Sequence, residues 1–256
     1  MIHPTAIIDE SANIASGVTV GPYSVIGNDV EIGEGTWIGP HVVVTGPTRI
    51  GRNNRIFQFN SIGDVPQDKK YEGEMSSLEI GDRNTIREFC SINRGTKHGA
   101  GVTRIDSDNW IMAYVHIAHD CQVGNDIIMA NNATLAGHVS IGDHAILGGF
   151  SLVHQFCTIG AHAFSAMGTA IGKDVPPFVM VAGQPASTRG LNSEGLKRHG
   201  FDADTLRSLR KAYKTVYRSG LKVEEAIEQL NSFGAQSPEI QVMAEFIRTS
   251  TRGIVR

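Results

Sequence analysis

The sequence predicts an all-β solenoid of hexapeptide repeats followed by a small C-terminal helical domain, and three observations predict it. An aliphatic residue returns at every sixth position from Ile105 through Ile111, Ile117, Val123, Met129, Leu135, Ile141, Leu147, Val153 and Ile159 to Ile171, with only Ser165 out of pattern. Six is neither a helical period nor a strand alternation. It fits a flat strand of a few residues and then a corner, three such sides closing a triangular coil that buries its apolar face on the next. Glycine commonly follows the aliphatic residue, as at Gly21, Gly27, Gly33, Gly39, Gly51, Gly81, Gly124, Gly142 and Gly160. Beyond about Pro185 the period becomes helical.

Taken in order, the repeat starts at once: Ile2, Ile8, Ile14, Val20, Ile26, Ile32, Ile38, Val44, Ile50, Ile56 and Ile62 are in phase, and Ile80, Ile86 and Ile92 resume it. Two stretches break the rule. Residues 64–79, with Pro66, Gln67, Asp68, Lys69, Lys70 and Tyr71, read as an excursion from the coil, and residues 95–104 as a second that shifts the phase by one. Long loops on a rigid scaffold often carry function. The corners need backbone angles that Gly adopts cheaply and Asn or Asp next best, which Asn28, Asn53, Asn54 and Asn84 supply. The solenoid is expected over residues 1–184 and the helical domain over 185–256. In the latter, Asp202 caps a helix through Leu206, Leu209, Tyr213, Val216 and Tyr217 that Gly220 ends. Two more follow, from about Val223 to Phe233 and Pro238 to Arg248.

Composition narrows the class. No stretch is apolar enough to span a membrane, and Met1-Ile2-His3-Pro4 enters the first repeat without a cleavable leader, so a cytoplasmic protein is expected. Cys90, Cys121 and Cys157 each lie four residues after a repeat position, which suggests inward-facing core thiols instead of disulfides or a metal set. The helical part carries an excess of basic residues within an overall charge of −3. That gives no case for nucleic acid; an acidic partner or a phosphate would suit it, as would a solvated helix face.

The histidines carry the candidate chemistry. Stacked coils lie about 4.8 Å apart. His119, His138 and His154, spaced nineteen and sixteen residues apart, are therefore expected near one corner on successive coils, with His116 beside them. His119-Asp120 is a general-base pair if a corner turns the two side chains together, since strand neighbours point to opposite faces. Ala136-Gly137-His138 puts a bare backbone N–H beside it that could hold an oxyanion. A zinc site is the rival, from His116, His119 and His138 with water as fourth ligand, although His116 and His119 would point apart on a strand. A rigid spacer without activity is the third possibility.

A set of motifs then singles out one family. Gln67-Asp68-x-Lys70-Tyr71, Arg94-Gly95-Thr96, His116-Ile117-Ala118-His119-Asp120-Cys121 and Asn131 to His138 lead it. His154-Gln155-Phe156, Asp174-Val175-Pro176-Pro177, Glu194-Gly195-Leu196-Lys197-Arg198 and Arg252-Gly253-Ile254 complete it. Over essentially its whole length the chain resembles the UDP-N-acetylglucosamine O-acyltransferases that begin lipid A synthesis. Generic hexapeptide transferases share the repeat but not this set.

The resemblance implies a left-handed parallel β-helix, a homotrimer with clefts between subunits, and no metal or cofactor, the acyl carrier protein with its phosphopantetheine arm being a substrate. His119 would be the base, Asp120 its support and Gly137 N–H the oxyanion donor. His116, His138, His154 and Gln155 would line the cleft; Asp68 and Lys70 would reach the nucleotide sugar and the acyl part; Asn192, Glu194 and Arg198 would bind the uridine and phosphate end. Met167 would stop the acyl chain, favouring donors of ten to twelve carbons over fourteen. The sister N-acyltransferases, which usually carry a domain before the coil, fit less well. Two positions depart from the family's commonest pattern, Asn93 before Arg94 and His199 after Arg198; both reduce fixed positive charge.

Overall fold

Most repeats contribute a strand of two or three residues ending on the aliphatic one, which points inward while its predecessor is more exposed; those beside the two insertions are longer. So short a strand has no stability alone; it forms because the coil above and below pairs with it and because its inward residue joins one continuous core. The computed structural model describes Met1–Arg256 and is a left-handed parallel β-helix with a helical C-terminal part. Parallel connections are normally right-handed because strands twist. Strands this short carry almost no twist to impose that hand.

Three parallel sheets form the prism. The first has nine strands, from Ile7–Ile8 to Ala170–Ile171; the second has eight, from Asn13–Ile14 to Thr158–Ile159. The third runs from Thr19–Val20 to Val179–Ala182 and adds Ser187–Leu191 antiparallel at its end. Partners are 18 residues apart in most coils, but 30 where residues 65–76 are inserted and 25 where 95–101 are. Both insertions leave from the edge where the first sheet passes into the second, the histidine corner. The edge from second to third sheet is the helix corner, and that from third to first the aromatic corner, where Tyr23, His41, Phe59, Phe89 and Tyr114 stack at centroid distances of 4.9–5.4 Å.

The corners meet the sequence expectation in part: Gly17, Gly35, Gly168 and Asn53 are left-handed, whereas Asn28, Asn54 and Asn84 are not. The left-handed residue stands three places after the inward repeat position and, besides these glycines and Arg83, is Asp, Asn, His or an aromatic: Asp29, Asn53, Asp120, His138, Phe156 and His162 all have φ between 54° and 64°. The glycines that follow the aliphatic residue do another job. A Cβ on Gly21 would stand 2.7 Å from the Gly39 carbonyl carbon, and one on Gly33 2.6 Å from that of Gly51, so they allow close approach of successive coils. Asn54 and Asn84, also read as corner residues, are buried instead: Asn84 N donates to Asn54 Oδ1 at 2.9 Å and Asn109 N to Asn84 Oδ1 at 2.9 Å. The three cysteines are buried as expected, and burial pushes the Cys90 and Cys121 thiols up to about 12.

The helical period begins later than Pro185 suggests. Gly183, at φ 102°, turns the chain back into Ser187–Leu191 before α1 (Ser193–Arg198), α2 (Ala203–Tyr217), α3 (Val223–Phe233) and α4 (Pro238–Thr249). Asp202 caps α2 through Thr205 N at 2.7 Å. The tail returns to the coil at Asp174, whose carboxylate accepts from Ser250 Oγ at 2.6 Å and whose backbone pairs with Gly253 and Val255. No helix is long and apolar enough to cross a membrane.

Helix α1 is docked by a histidine cluster on the helix corner. The His199 ring lies 4.6 Å from that of His144 and 5.1 Å from that of His162, and Phe201 meets His162 edge-on. Burial, reinforced by His144 and His199, pushes the His162 imidazole down to about 4, with Asp143 opposing. An unfolded chain takes up that proton near pH 6.5 while the fold refuses it until about 4, so this contribution to stability is full above 6.5 and lost as pH falls through that window. His162→Phe, which keeps the stacking, should therefore lose less melting temperature between pH 7 and pH 5 than the parent; calorimetry at both pH values checks it, and equal losses would clear His162.

Candidate active site

His119 and Asp120 leave the first sheet at the histidine corner, and the left-handed Asp120 (φ 60°) makes the contact that strand neighbours cannot. His119 Nδ1 donates to Asp120 Oδ2 at 2.9 Å. From the second insertion, Thr96 donates its N–H to both carboxylate oxygens at 3.1 Å and its Oγ1–H to Oδ2 at 2.7 Å. Burial would raise the Asp120 carboxyl, but the hydrogen bonds from His119 and Thr96 outweigh it and hold the group below the usual carboxylate range. A carboxylate fixed on Nδ1–H leaves Nε2 as the basic nitrogen.

The repeat register builds the rest. Eighteen residues after His119 and Asp120 stand Gly137 and His138, and after those Gln155 and Phe156. Gly137 must be glycine: a Cβ there would lie 2.6 Å from His119 Cε1 and 2.7 Å from Nε2. Its N–H takes no part in the coil-to-coil ladder, whereas His138 N donates to His119 O at 3.0 Å. The basic nitrogen of His119 and a free amide thus border one small space. His138 meets His119 edge-on at 5.0 Å and stacks on Phe156 at 4.4 Å. Burial holds His138 below the ordinary imidazole range, against the pull of Asp120.

Both insertions close over this corner. A cavity of about 430 Å³ is lined by Gln67, Asp68 and Lys70 of the first, His98 of the second, and His119, His138, Gln155 and Phe156 of the coil. His98 was not singled out by sequence; one histidine in a polar, aperiodic loop carries no signal of where the loop folds. Thr96 sat in a recognised motif, but nothing local announced a partner 24 residues away. The loops hold each other through Lys97 and Glu72, and Arg94 Nη2 donates to the Tyr71 hydroxyl at 3.2 Å. Asn93 is buried and donates to Val65 O at 2.8 Å, so it shapes the first loop.

The remaining predicted residues lie elsewhere. His154 does not stack on His138, since a 16-residue spacing falls two places short of the register and the stacked position is Phe156. It faces out from the first sheet, in contact with Arg252 Nη2 at 3.3 Å, beside an apolar groove of about 470 Å³ over Ala136, Leu152, Ala170 and Pro185. His116 is on the same face, its Nδ1 2.7 Å from Ser91 Oγ, and burial holds it below the ordinary imidazole range. Met167 is on the aromatic corner, 79% exposed, three residues before Ala170, so it is no core filler. Asn192, Glu194 and Arg198 sit on α1 at the helix corner. Asn192 caps α1 through Gly195 N and donates to His162 O, while Glu194 pairs with Lys197 at 2.8 Å.

The zinc alternative fares unevenly. His116 does not converge with His119 and His138; the donors that do, within 4.8 Å of one another, are His119, Asp120 and His138. Asp120 already accepts from Thr96 and His119 through both oxygens. That lends the carboxylate to orienting an imidazole more than to binding an ion.

Known proteins share this fold and sequence. The model of UDP-N-acetylglucosamine O-acyltransferase domain 2 matches residues 174–255, and that of the bacterial transferase hexapeptide repeat matches 29–56 and 102–137. An acyl-[acyl-carrier-protein]–UDP-N-acetylglucosamine O-acyltransferase of Paracidovorax citrulli is 61% identical over all of this chain and 99% of its own length; one from a Janthinobacterium species is 58% identical with the same coverage. The solved UDP-N-acetylglucosamine O-acyltransferase of Moraxella catarrhalis superposes with a TM-score of 0.98 at 49% identity, over all of this chain and 99% of that one. That of Francisella novicida gives 0.98 at 45%, over all of this chain and 94% of that one. On identity and coverage of this order the chain belongs to the UDP-N-acetylglucosamine O-acyltransferase family.

Proposed function

We propose that this protein transfers a 3-hydroxyacyl chain from acyl carrier protein to the 3-hydroxyl of UDP-N-acetylglucosamine, the first step of lipid A biosynthesis, by general-base catalysis. The observation that carries the mechanism is the line Thr96–Asp120–His119 ending beside the free Gly137 N–H. His119 Nε2 takes the proton of the sugar hydroxyl as its oxygen attacks the thioester carbonyl. Gly137 N–H donates to the oxyanion that forms, and collapse expels the phosphopantetheine thiolate, which recovers the proton from His119. Asp120 stays ionised throughout and favours the imidazolium. No cofactor enters this balance, and the compartment of such substrates is the cytoplasm.

The working unit is a homotrimer. Asp68 and Lys70 share a cavity with the base, but Asn192, Glu194 and Arg198 occupy another edge of the prism. One protomer cannot wrap both around a single nucleotide sugar, whereas a neighbouring prism can offer its helix edge to this one's histidine edge. The apolar groove between the histidine and aromatic corners suits the acyl chain, and the exposed Met167, three residues before the groove's Ala170, is assigned as the stop.

Mass spectrometry after incubation with UDP-N-acetylglucosamine and 3-hydroxyacyl carrier protein should show an O-acylated nucleotide sugar. His119→Ala should reduce the rate by about 10²–10⁴ with the melting temperature nearly unchanged; more than about a tenth of parental activity would refute its role as base. Gly137→Ala should cost a similar factor by pushing the His119 ring aside, and an active variant would show that the space above that ring is not where reaction occurs. Met167→Gly should move the kcat/KM preference toward fourteen-carbon donors by about tenfold or more; an unmoved ratio would remove Met167 as the stop.

A further inference from the structure

Ser165 is the one break in the aliphatic series, and the third sheet shows what the break does. Its inward column runs Ile111, Met129, Leu147, Ser165 and Val181, so a hydroxyl stands where every neighbour in the column is apolar. Burying a hydroxyl is costly unless it is paired, and this one is. Ser165 Oγ lies 2.7 Å from Ser151 Oγ and accepts from Gly148 N at 3.3 Å. Ser151 Oγ reaches Ala166 O at 3.5 Å, and Thr169 Oγ1 donates to the same carbonyl at 2.6 Å. All three hydroxyl residues are essentially inaccessible to solvent.

These groups surround the turn Ala166–Gly168. The coil below holds it from outside as well: Gly168 N donates to Gly149 O at 2.8 Å, and a Cβ on Gly148 would come 2.7 Å from Met167 N. Met167 is the one side chain the turn presents outward, and it is the most exposed large apolar residue after Met1 and Met75. We propose that Ser165 is a positioning residue for donor-chain length: its hydroxyl orients Ser151 Oγ, which with Thr169 Oγ1 holds the Ala166 carbonyl and so the turn that carries Met167, the stop of the acyl chain. This rests on the reading of Met167 as the stop. An aliphatic residue at 165 would fill the column but leave Ser151 Oγ without the partner that directs it toward Ala166 O, because only a hydrogen bond has direction. A stop on an exposed turn discriminates between chain lengths only as sharply as its backbone is held.

Three variants test this. Ser165→Ala removes the hydroxyl and adds no bulk; Ser165→Thr restores it; Met167→Gly removes the stop itself. For Ser165→Ala, kcat/KM with a ten-carbon donor should stay within about twofold, while that with a fourteen-carbon donor rises about three- to tenfold, part of the effect of removing the stop. Amide exchange at Gly168 should quicken, and the KM for UDP-N-acetylglucosamine should hold. Ser165→Thr should return both the ratio and the exchange rate to parental values. A purely structural serine would lower the melting temperature and slow all donors alike, and that outcome overturns the proposal. So does an unchanged donor ratio in Ser165→Ala where Met167→Gly shifts it. If Met167→Gly leaves the ratio unmoved, the stop itself is lost and the positioning role with it; unchanged exchange at Gly168 refutes the grip on the turn whatever Met167 does.

Discussion

Everything in this molecule depends on coils stacking with a fixed register. A two-residue strand makes too few hydrogen bonds to exist alone, so each is stable only if its partners 18 residues away arrive at the same height. That demand explains the glycines after the aliphatic positions, which let backbones close to within contact of the next coil, and the aliphatic residues themselves, which form one unbroken core. It also makes chemistry vertical. Any two side chains 18 apart become neighbours, so Asp120, His138 and Phe156 form one column and His119, Gly137 and Gln155 the next.

The active corner is where that order is deliberately interrupted. Both insertions leave the coil at the same edge, one and two coils below His119, and both fold upward over it. The second brings Thr96 against Asp120, whose carboxyl its hydrogen bonds help to hold below the usual range; the first brings Asp68 and Lys70 into the cavity. A rigid column supplies position, and loops supply what a repeat cannot, a concave and asymmetric pocket. The loops are themselves braced by Arg94, which reaches the carbonyls of Gly46 and Gly63 in the coil as well as Tyr71.

The fold was legible because hydrophobic periodicity is a local property that the eye can count. Sequence also pointed to His119, Asp120 and Gly137, since spacing translates directly into stacking. It misjudged what does not repeat in kind. Left-handed corners occupied by His138 or Phe156 look like ordinary positions, because the backbone strain of such a residue is borne by the ladder around it and leaves no compositional mark. His154 was placed on the wrong column by two residues, which in a stack of this kind means another face. Asn54 and Asn84 read as corner residues because Asn favours turns, yet their amides run inside the prism as a ladder of their own. The loop partners Thr96 and His98 lay beyond reach, since no period connects an insertion to the coil it covers.

The distribution of polar groups inside the prism follows from the same geometry. A repeat core is easiest to build from aliphatic residues alone, and most of this one is. The exceptions lie at corners, where they hold backbone groups of neighbouring coils: the asparagine ladder on the helix corner, Ser24 and Thr36 in regular coils, Asp174 where the tail docks, Asp120 at the site, and Ser151, Ser165 and Thr169 beneath the Met167 turn. Apolar packing fixes a coil's height but is indifferent to small rotations of a turn, whereas a buried hydrogen bond loses most of its value when misaligned. Polar residues in this interior therefore mark where orientation, and not only burial, was needed. By that criterion the half-buried base at His119 and the exposed Met167 are alike: each side chain is aimed by a buried polar group that almost no solvent touches.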